Sequence, residues 1–176
     1  MDRYKIITLL RQDHDSFISY INSLTNEAFL FSNQQKWTAG QQLDHIYLSV
    51  KPLTLALSLP HFFIRLVFGK SNRQGRSYED LVKKYQSKLE NGGKAPGRFI
   101  PKAIAFDQKE KIINALNKTT NILCSKVEKS TEQELDTFIL PHPLLGKLTI
   151  REMLYFTIYH VGHHHELTKR NLEQLN

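Results

Sequence analysis

The segment HVGHHHE, from His160 to Glu166, concentrates four of the chain's eight histidines. His160 and His164 are four residues apart, so on a helix their imidazoles stand one above the other at a spacing that accepts a single divalent metal. Met153, Phe156 and Leu167 place that face toward an apolar interior. A neutral imidazole there needs a proton partner or a metal to satisfy both nitrogens. A stable site needs a third ligand, and His45 is the best supplier because it borders the apolar stripe of Leu43, Ile46 and Val50. Three imidazoles suit Zn, Ni, Co or Fe and leave a coordination position for water or substrate. On residue types alone the other reading, hydrogen-bonded or solvent-facing histidines, stays open.

The remaining polar residues add less. His163, three residues after His160, is either a rival ligand or a supporting group, and His165 lies about 100 degrees around the helix from His164 and is expected to be exposed. His14, near an inward stripe, either reaches the site or is paired or partly exposed elsewhere. His61 beside Pro60 and His142 between prolines read as loop residues. Glu152 has a helix-capping role, Glu166 lies on a different face from the histidine pair, and Asp44 points away from any ion held by His45. Trp37 packs at a helix entrance, and Tyr159 either lines a pocket or packs. No general acid or base, and no residue binding an organic cofactor, can be named from this pattern.

The elements that must carry these histidines are helical. Ile6, Leu10, Phe17, Ile21 and Leu24 predict a first helix from Tyr4 to about Leu24, and Thr38 with Gln41 predicts a capped second helix that Pro60 ends. The stretch Pro52 to Ile64 reads as buried helix followed by a break. RLVFGKSNRQGR, Arg65 to Arg76, reads as a solvated excursion around a turn, and Ser77 with Asp80 starts a shorter helix through about Leu89. NGGKAPGRFIPKA cannot sustain a regular helix. Asp107 and Glu110 are expected to cap a third long helix through about Val127, and Ser130 or Thr131 to start a short one ending before Pro141. Thr149 with Glu152 starts the last, histidine-bearing helix. Long alternating strand patterns are absent, so four long helices must bury their stripes against one another.

Composition sets the bounds. The chain has 176 residues, 40% of them hydrophobic, which fits one soluble domain over residues 1–176 rather than disorder or a repeat polymer. The formal charge of +7 draws anions without identifying one. The single cysteine, Cys124, excludes an internal disulfide or a multi-cysteine metal site and is expected to be a packed thiol. Charges interrupt MDRYKIITLLRQDHD, so no secretory signal is expected and a cytoplasmic location follows. No stretch matches a membrane span. The basic run lacks a recognition helix, zinc-finger cysteines or stacking aromatics, so no nucleic acid is expected as a partner.

WTAGQQLDHI, Trp37 to Ile46, and HPLLGKLTIREMLYFTIYHVGHHHEL, His142 to Leu167, together resemble the DinB-like superfamily of bacterial helical-bundle proteins, including its YfiT-like metal-dependent hydrolase group. KAPGRFIP resembles that family's connection before the third helix. The resemblance covers most of the chain. It implies an all-α, up-down-down-up four-helix bundle with additional short helices, and metal ligands at His45, His160 and His164. It also implies a divalent metal, Zn or Ni first, a homodimer, and a small-molecule substrate. Relatives include thiol transferases using bacillithiol, mycothiol or glutathione. The resemblance therefore implies transfer of a low-molecular-weight thiol to a small electrophile through a metal-activated thiolate. Metal-dependent hydrolysis by activated water, or a noncatalytic metal-binding stress protein, are the alternatives.

Overall fold

Asp2 accepts a hydrogen bond from the Lys5 amide at 2.8 Å and starts α1, Arg3–Ser23, whose Ile6, Leu10, Phe17 and Ile21 are fully buried. The computed structural model describes residues 1–34 and 36–175. A five-residue helix, α2 (Asn26–Leu30), follows and is capped by Thr25. The long α3, Ala39–Ser58, opens on the anticipated box: the Gln41 amide donates to Thr38 Oγ1 at 3.1 Å and the Thr38 amide to Gln41 Oε1 at 3.0 Å. The chain breaks at Leu59 and Pro60, and α4 (His61–Phe68) and α5 (Tyr78–Glu90) follow.

The third long helix, α6 (Lys109–Lys129), does not start as expected. Asp107 caps nothing; the chain enters through a 3-10 turn, Phe106–Gln108, in which Gln108 Oε1 accepts from the Ala105 amide at 3.2 Å. A tighter lead-in of this kind satisfies orphan amides that a cap would otherwise serve. Thr131 and Glu134 box the start of α7, Glu132–Thr137. Thr149 and Glu152 do the same for α8, Ile150–Leu172.

Two further expectations need correction. Residues 139–149, read without strands, form an antiparallel hairpin of β1 (Ile139–His142) and β2 (Gly146–Thr149), with Ile139 opposite Thr149 and His142 opposite Gly146. Strands of four residues are too short for alternation to register, and Gly146 supplies the positive φ of +78° that the turn requires. The stretch Arg65 to Arg76 is not all loop, because α4 covers its first four residues. The rest folds back on the chain just before the hairpin, where the Ser71 amide donates to the Thr137 carbonyl at the end of α7, at 2.8 Å. His61 opens α4 instead of lying in a loop, and its side chain falls outside the described residues.

The four long helices pack in the cyclic order α1, α6, α3, α8. The N-terminal amine meets Tyr155 Oη at 3.1 Å while Tyr20 meets His165 near the other end, so α1 and α8 run parallel. Asn171 near the end of α8 donates to the Trp37 carbonyl before α3, so α3 runs the other way. So does α6, whose Lys109 end reaches the Asn22 carbonyl while Arg3 reaches the Ser130 carbonyl. The result is up, down, down, up. Leu43, Ile46, Leu116, Leu123, Leu154 and Val161 lie between the helices, each contributing roughly 1.5–3 kcal/mol of burial free energy. Cys124 is buried and free, as anticipated. Among the described residues no single helix is long and apolar enough to cross a membrane.

Gly40, near the start of α3, is a position where a side chain would meet its neighbours closely. A Cβ there would lie 2.7 Å from Phe29 Cε1 and 3.2 Å from Ile104 Cβ. Gly40→Ala therefore sets an overpacking cost of ~1–3 kcal/mol against a helix-propensity gain of ~1 kcal/mol. A net loss of about 1 kcal/mol, read as a melting temperature lower by about 2–4 °C, is expected in thermal denaturation.

Candidate metal centre

Two helices of opposite direction bring the three histidines together. α3 carries His45 nearly two turns inside its capped start, and α8 carries His160 at its middle and His164 one turn further on. All three are buried, at 4%, 5% and 6% exposure. Their Nε2 atoms converge: His160 Nε2 lies 3.2 Å from His45 Nε2 and 3.1 Å from His164 Nε2.

The proton positions follow from the outer partners. His45 Nδ1 is 2.7 Å from the Phe99 carbonyl, and His164 Nδ1 is 2.5 Å from the Gln42 amide oxygen. Oxygens of this kind only accept, so both rings donate from Nδ1 and turn an Nε2 lone pair inward. Those two lone pairs face His160 Nε2, which has at most one proton to give. Burial, and then the neighbouring imidazoles, hold His160 and His164 well below the ordinary histidine range, and burial lowers His45. The rings are therefore neutral near pH 7, and one lone pair remains unmatched.

A cation resolves that mismatch. Three nitrogens each bonded to one ion at ~2.0–2.1 Å stand about 2.9 Å apart at right angles and about 3.3 Å apart at tetrahedral angles. The two separations to His160 Nε2 fall between, and all three ligand atoms lie within 4.8 Å of one another, so the cluster could hold a divalent ion. The hydrogen bonds on the far nitrogens orient the rings, as in established metal sites. Gln42→Leu, which removes the acceptor for His164, is expected to lower zinc affinity ~10–100-fold while a saturating excess restores full stoichiometry. Chelator competition measures it.

The cluster opens on a cavity of about 460 Å³. Trp37, Tyr85, Phe99, Met153 and Phe156 make most of its wall apolar. Its charged lining residues, Lys36 and Arg98, are both cationic; among the described residues no aspartate or glutamate faces it.

Other candidates fall outside the cluster. His163 lines the cavity, stacked on Tyr159 at 6.0 Å, but is not among the converging nitrogens. His14 is buried on α1, with Nδ1 held by the Leu10 carbonyl. His165 is not exposed as expected: α1 covers that face, and Phe17 and Tyr20 pack on the ring at 5.8 and 5.0 Å. Asp44 accepts from the Lys102 amide, Glu166 pairs with Lys169, and Tyr159 packs. Trp37 packs at the start of α3 and also lies against His45 at 4.9 Å. His142, read as a loop residue, is a buried strand residue lining the cavity.

Sequence reasoning missed Gln42, Phe99, Tyr85 and His142. Gln42 left a signal, since it precedes His45 by three residues and shares its helix face. Phe99 acts through its backbone carbonyl, which no side-chain pattern announces.

Comparison with known proteins gives one match. A family model described as the DinB superfamily fits residues 8–168 of the chain. No curated protein and no solved structure matches.

Proposed function

The chain belongs to the DinB superfamily, and from that premise we propose that it transfers a low-molecular-weight thiol to a small electrophile at a divalent metal held by His45, His160 and His164. The observation that carries this reading is the pairing of a three-imidazole cluster with a cavity that no carboxylate among the described residues lines. A divalent ion at the cluster supplies Lewis acidity, which lowers the pKa of a bound thiol or water. A thiol acidified there would need no further base: its proton would pass to solvent, its sulfur would bond to the electrophilic carbon, and the leaving group would depart with its electron pair. Lys36 and Arg98 favour anionic reactants at the mouth, and the aromatic wall gives an organic reactant an apolar surface to pack on.

Hydrolysis is the second reading, and one residue favours it. His163 lines the cavity, and burial lowers its pKa, so its neutral ring can accept a proton from water. A screen of zinc- and nickel-loaded protein with thiol donors, against an ester panel, separates the two. Thiol-dependent product with no ester cleavage supports transfer. Ester cleavage that His163→Ala abolishes supports hydrolysis. Metal binding without either reaction supports a noncatalytic role.

The homodimer is proposed on the same footing. Phe62, Phe63, Leu66 and Val67 of α4 are 62%, 45%, 78% and 64% exposed, and Leu55 and Leu59 at the adjoining end of α3 are 59% and 48% exposed. Apolar patches of this kind on soluble proteins mark contact surfaces. Light scattering at micromolar concentration is expected to give twice the chain mass, and Leu66→Glu to give monomer. A monomeric wild type removes the proposal. The basic segment offers little to nucleic acid, since Arg73 and Arg76 both bind Glu152.

A further inference from the structure

Two polar side chains in the cavity wall take no part in the histidine cluster. His142 on β1 is 8% exposed, and its Nδ1 accepts from the Leu144 amide at 3.2 Å and the Leu145 amide at 3.1 Å. Those bonds require a lone pair on Nδ1, so the single proton of the neutral ring sits on Nε2. Burial, aided by the charge of Lys84, pushes its pKa down to about 4, which keeps the ring neutral. Tyr85 on α5 is 4% exposed, and burial pushes its phenol up to about 12, so the hydroxyl keeps its proton.

Both groups flank one ring. Phe156 meets His142 edge-on with centroids 4.3 Å apart and Tyr85 edge-on at 5.1 Å, and it stacks on the cluster residue His160 at 4.6 Å. Among the described residues neither the His142 Nε2–H nor the Tyr85 hydroxyl has a hydrogen-bond partner. Neither is sealed from solvent in the way His14 Nε2 and Asn171 Oδ1 are, so both open onto the cavity they line. Among the described residues no carboxylate lines this wall, so both donors take their acceptor from whatever fills the cavity, water or a bound ligand.

We infer that Tyr85 and His142 form a pair of neutral donors that bind a carbonyl oxygen of an otherwise apolar ligand beside the three-histidine cluster. The inference deepens the reading of the cavity as the organic-reactant site. It makes the electrophile a carbonyl-bearing compound, and neutral donors suit an uncharged oxygen or one gaining charge as a bond forms.

Acetophenone and ethylbenzene test it, being close in shape and differing in the carbonyl oxygen. Titrations followed by nuclear magnetic resonance use wild type, Tyr85→Phe and His142→Asn, each zinc-loaded and zinc-free. Asparagine retains an oxygen near the Nδ1 position for the Leu144 and Leu145 amides. His142→Gln keeps a donor near Nε2 and serves as a rescue should the asparagine variant unfold. Wild type is expected to prefer acetophenone by roughly 10-fold or more, and each variant to lose about 3- to 10-fold of that preference with zinc content unchanged. In ¹⁵N spectra the His142 proton is expected on Nε2, shifting with acetophenone and not with ethylbenzene. Equal binding of the two probes to wild type, no binding, or an unchanged preference in both Tyr85→Phe and His142→Asn overturns the inference. So does a preference that disappears with zinc and ignores both substitutions. Failure of wild type to bind zinc overturns the metal reading instead, and leaves the zinc-free preference to decide this one.

Discussion

The His160→Ala protein is expected to bind zinc with affinity lowered by at least ~100-fold. His160 Nε2 lies within 3.2 Å of both other nitrogens, and among the described residues no fourth ligand joins the cluster, so its removal leaves a two-histidine remnant. Metal analysis after dialysis, with helicity followed by circular dichroism, separates loss of metal from loss of fold. Unchanged stoichiometry and affinity in His45→Ala, His160→Ala and His164→Ala alike would sink the site. His165→Ala serves as the control, because that ring packs on Phe17 and Tyr20 away from the cluster. A pH dependence accompanies the prediction. In zinc-free protein the folded-state values of His45, His160 and His164 lie below the unfolded value of 6.5. The unfolded chain then binds more protons in acid, so stability present above pH 6.5 is lost as pH falls below it. The His160→Ala protein should show a shallower loss.

The largest expected effect on stability lies away from the cluster, at Glu152. Its side chain is wholly buried and caps α8 by accepting from the Thr149 amide at 2.9 Å. It also takes a two-pronged pair from Arg73, at 2.7 and 2.6 Å, and the amide and guanidinium of Arg76 at 2.9 and 3.2 Å. One carboxylate thereby ties the segment after α4 to the helix that carries His160 and His164. Glu152→Ala is expected to cost about 3 kcal/mol, the low end for breaking a buried pair, because Arg73 and Arg76 keep 32% and 30% of their surface in water and can resolvate. That corresponds to a melting temperature lower by about 6–12 °C. The hydrogen bonds that Glu152 accepts from Arg73, Arg76 and the Thr149 amide outweigh desolvation and hold its carboxyl below its ordinary 4.5. Its contribution is therefore complete at neutral pH, begins to fall below about pH 4.5, and is gone once pH drops under the folded-state value. Denaturant titrations at pH 7 and pH 3 check both statements. A difference between wild type and Glu152→Ala that is equal at the two pH values would exclude the ionic account.

Local physics was legible in the residues themselves. The caps at Thr38, Ser77, Thr131 and Thr149 are each a side-chain oxygen within three residues of the amide it serves, and the long-helix stripes repeat every three or four residues. Hence four long helices, and the vertical pairing of His160 with His164, were determined by the sequence alone. His45 was nominated by its place beside an apolar stripe and by family resemblance. What put its Nε2 at 3.2 Å from that of His160, across 115 residues, is the antiparallel packing of α3 on α8. Tertiary structure likewise decided that Gln42 and Phe99 orient the rings, that α1 covers His165, that a four-residue-per-strand hairpin brings His142 to the cavity, and that Arg73 and Arg76 serve Glu152 rather than solvent. Each of these depends on a partner distant in the chain or on a backbone carbonyl. Periodicity reports which face of an element is apolar, but only packing reports what that face meets.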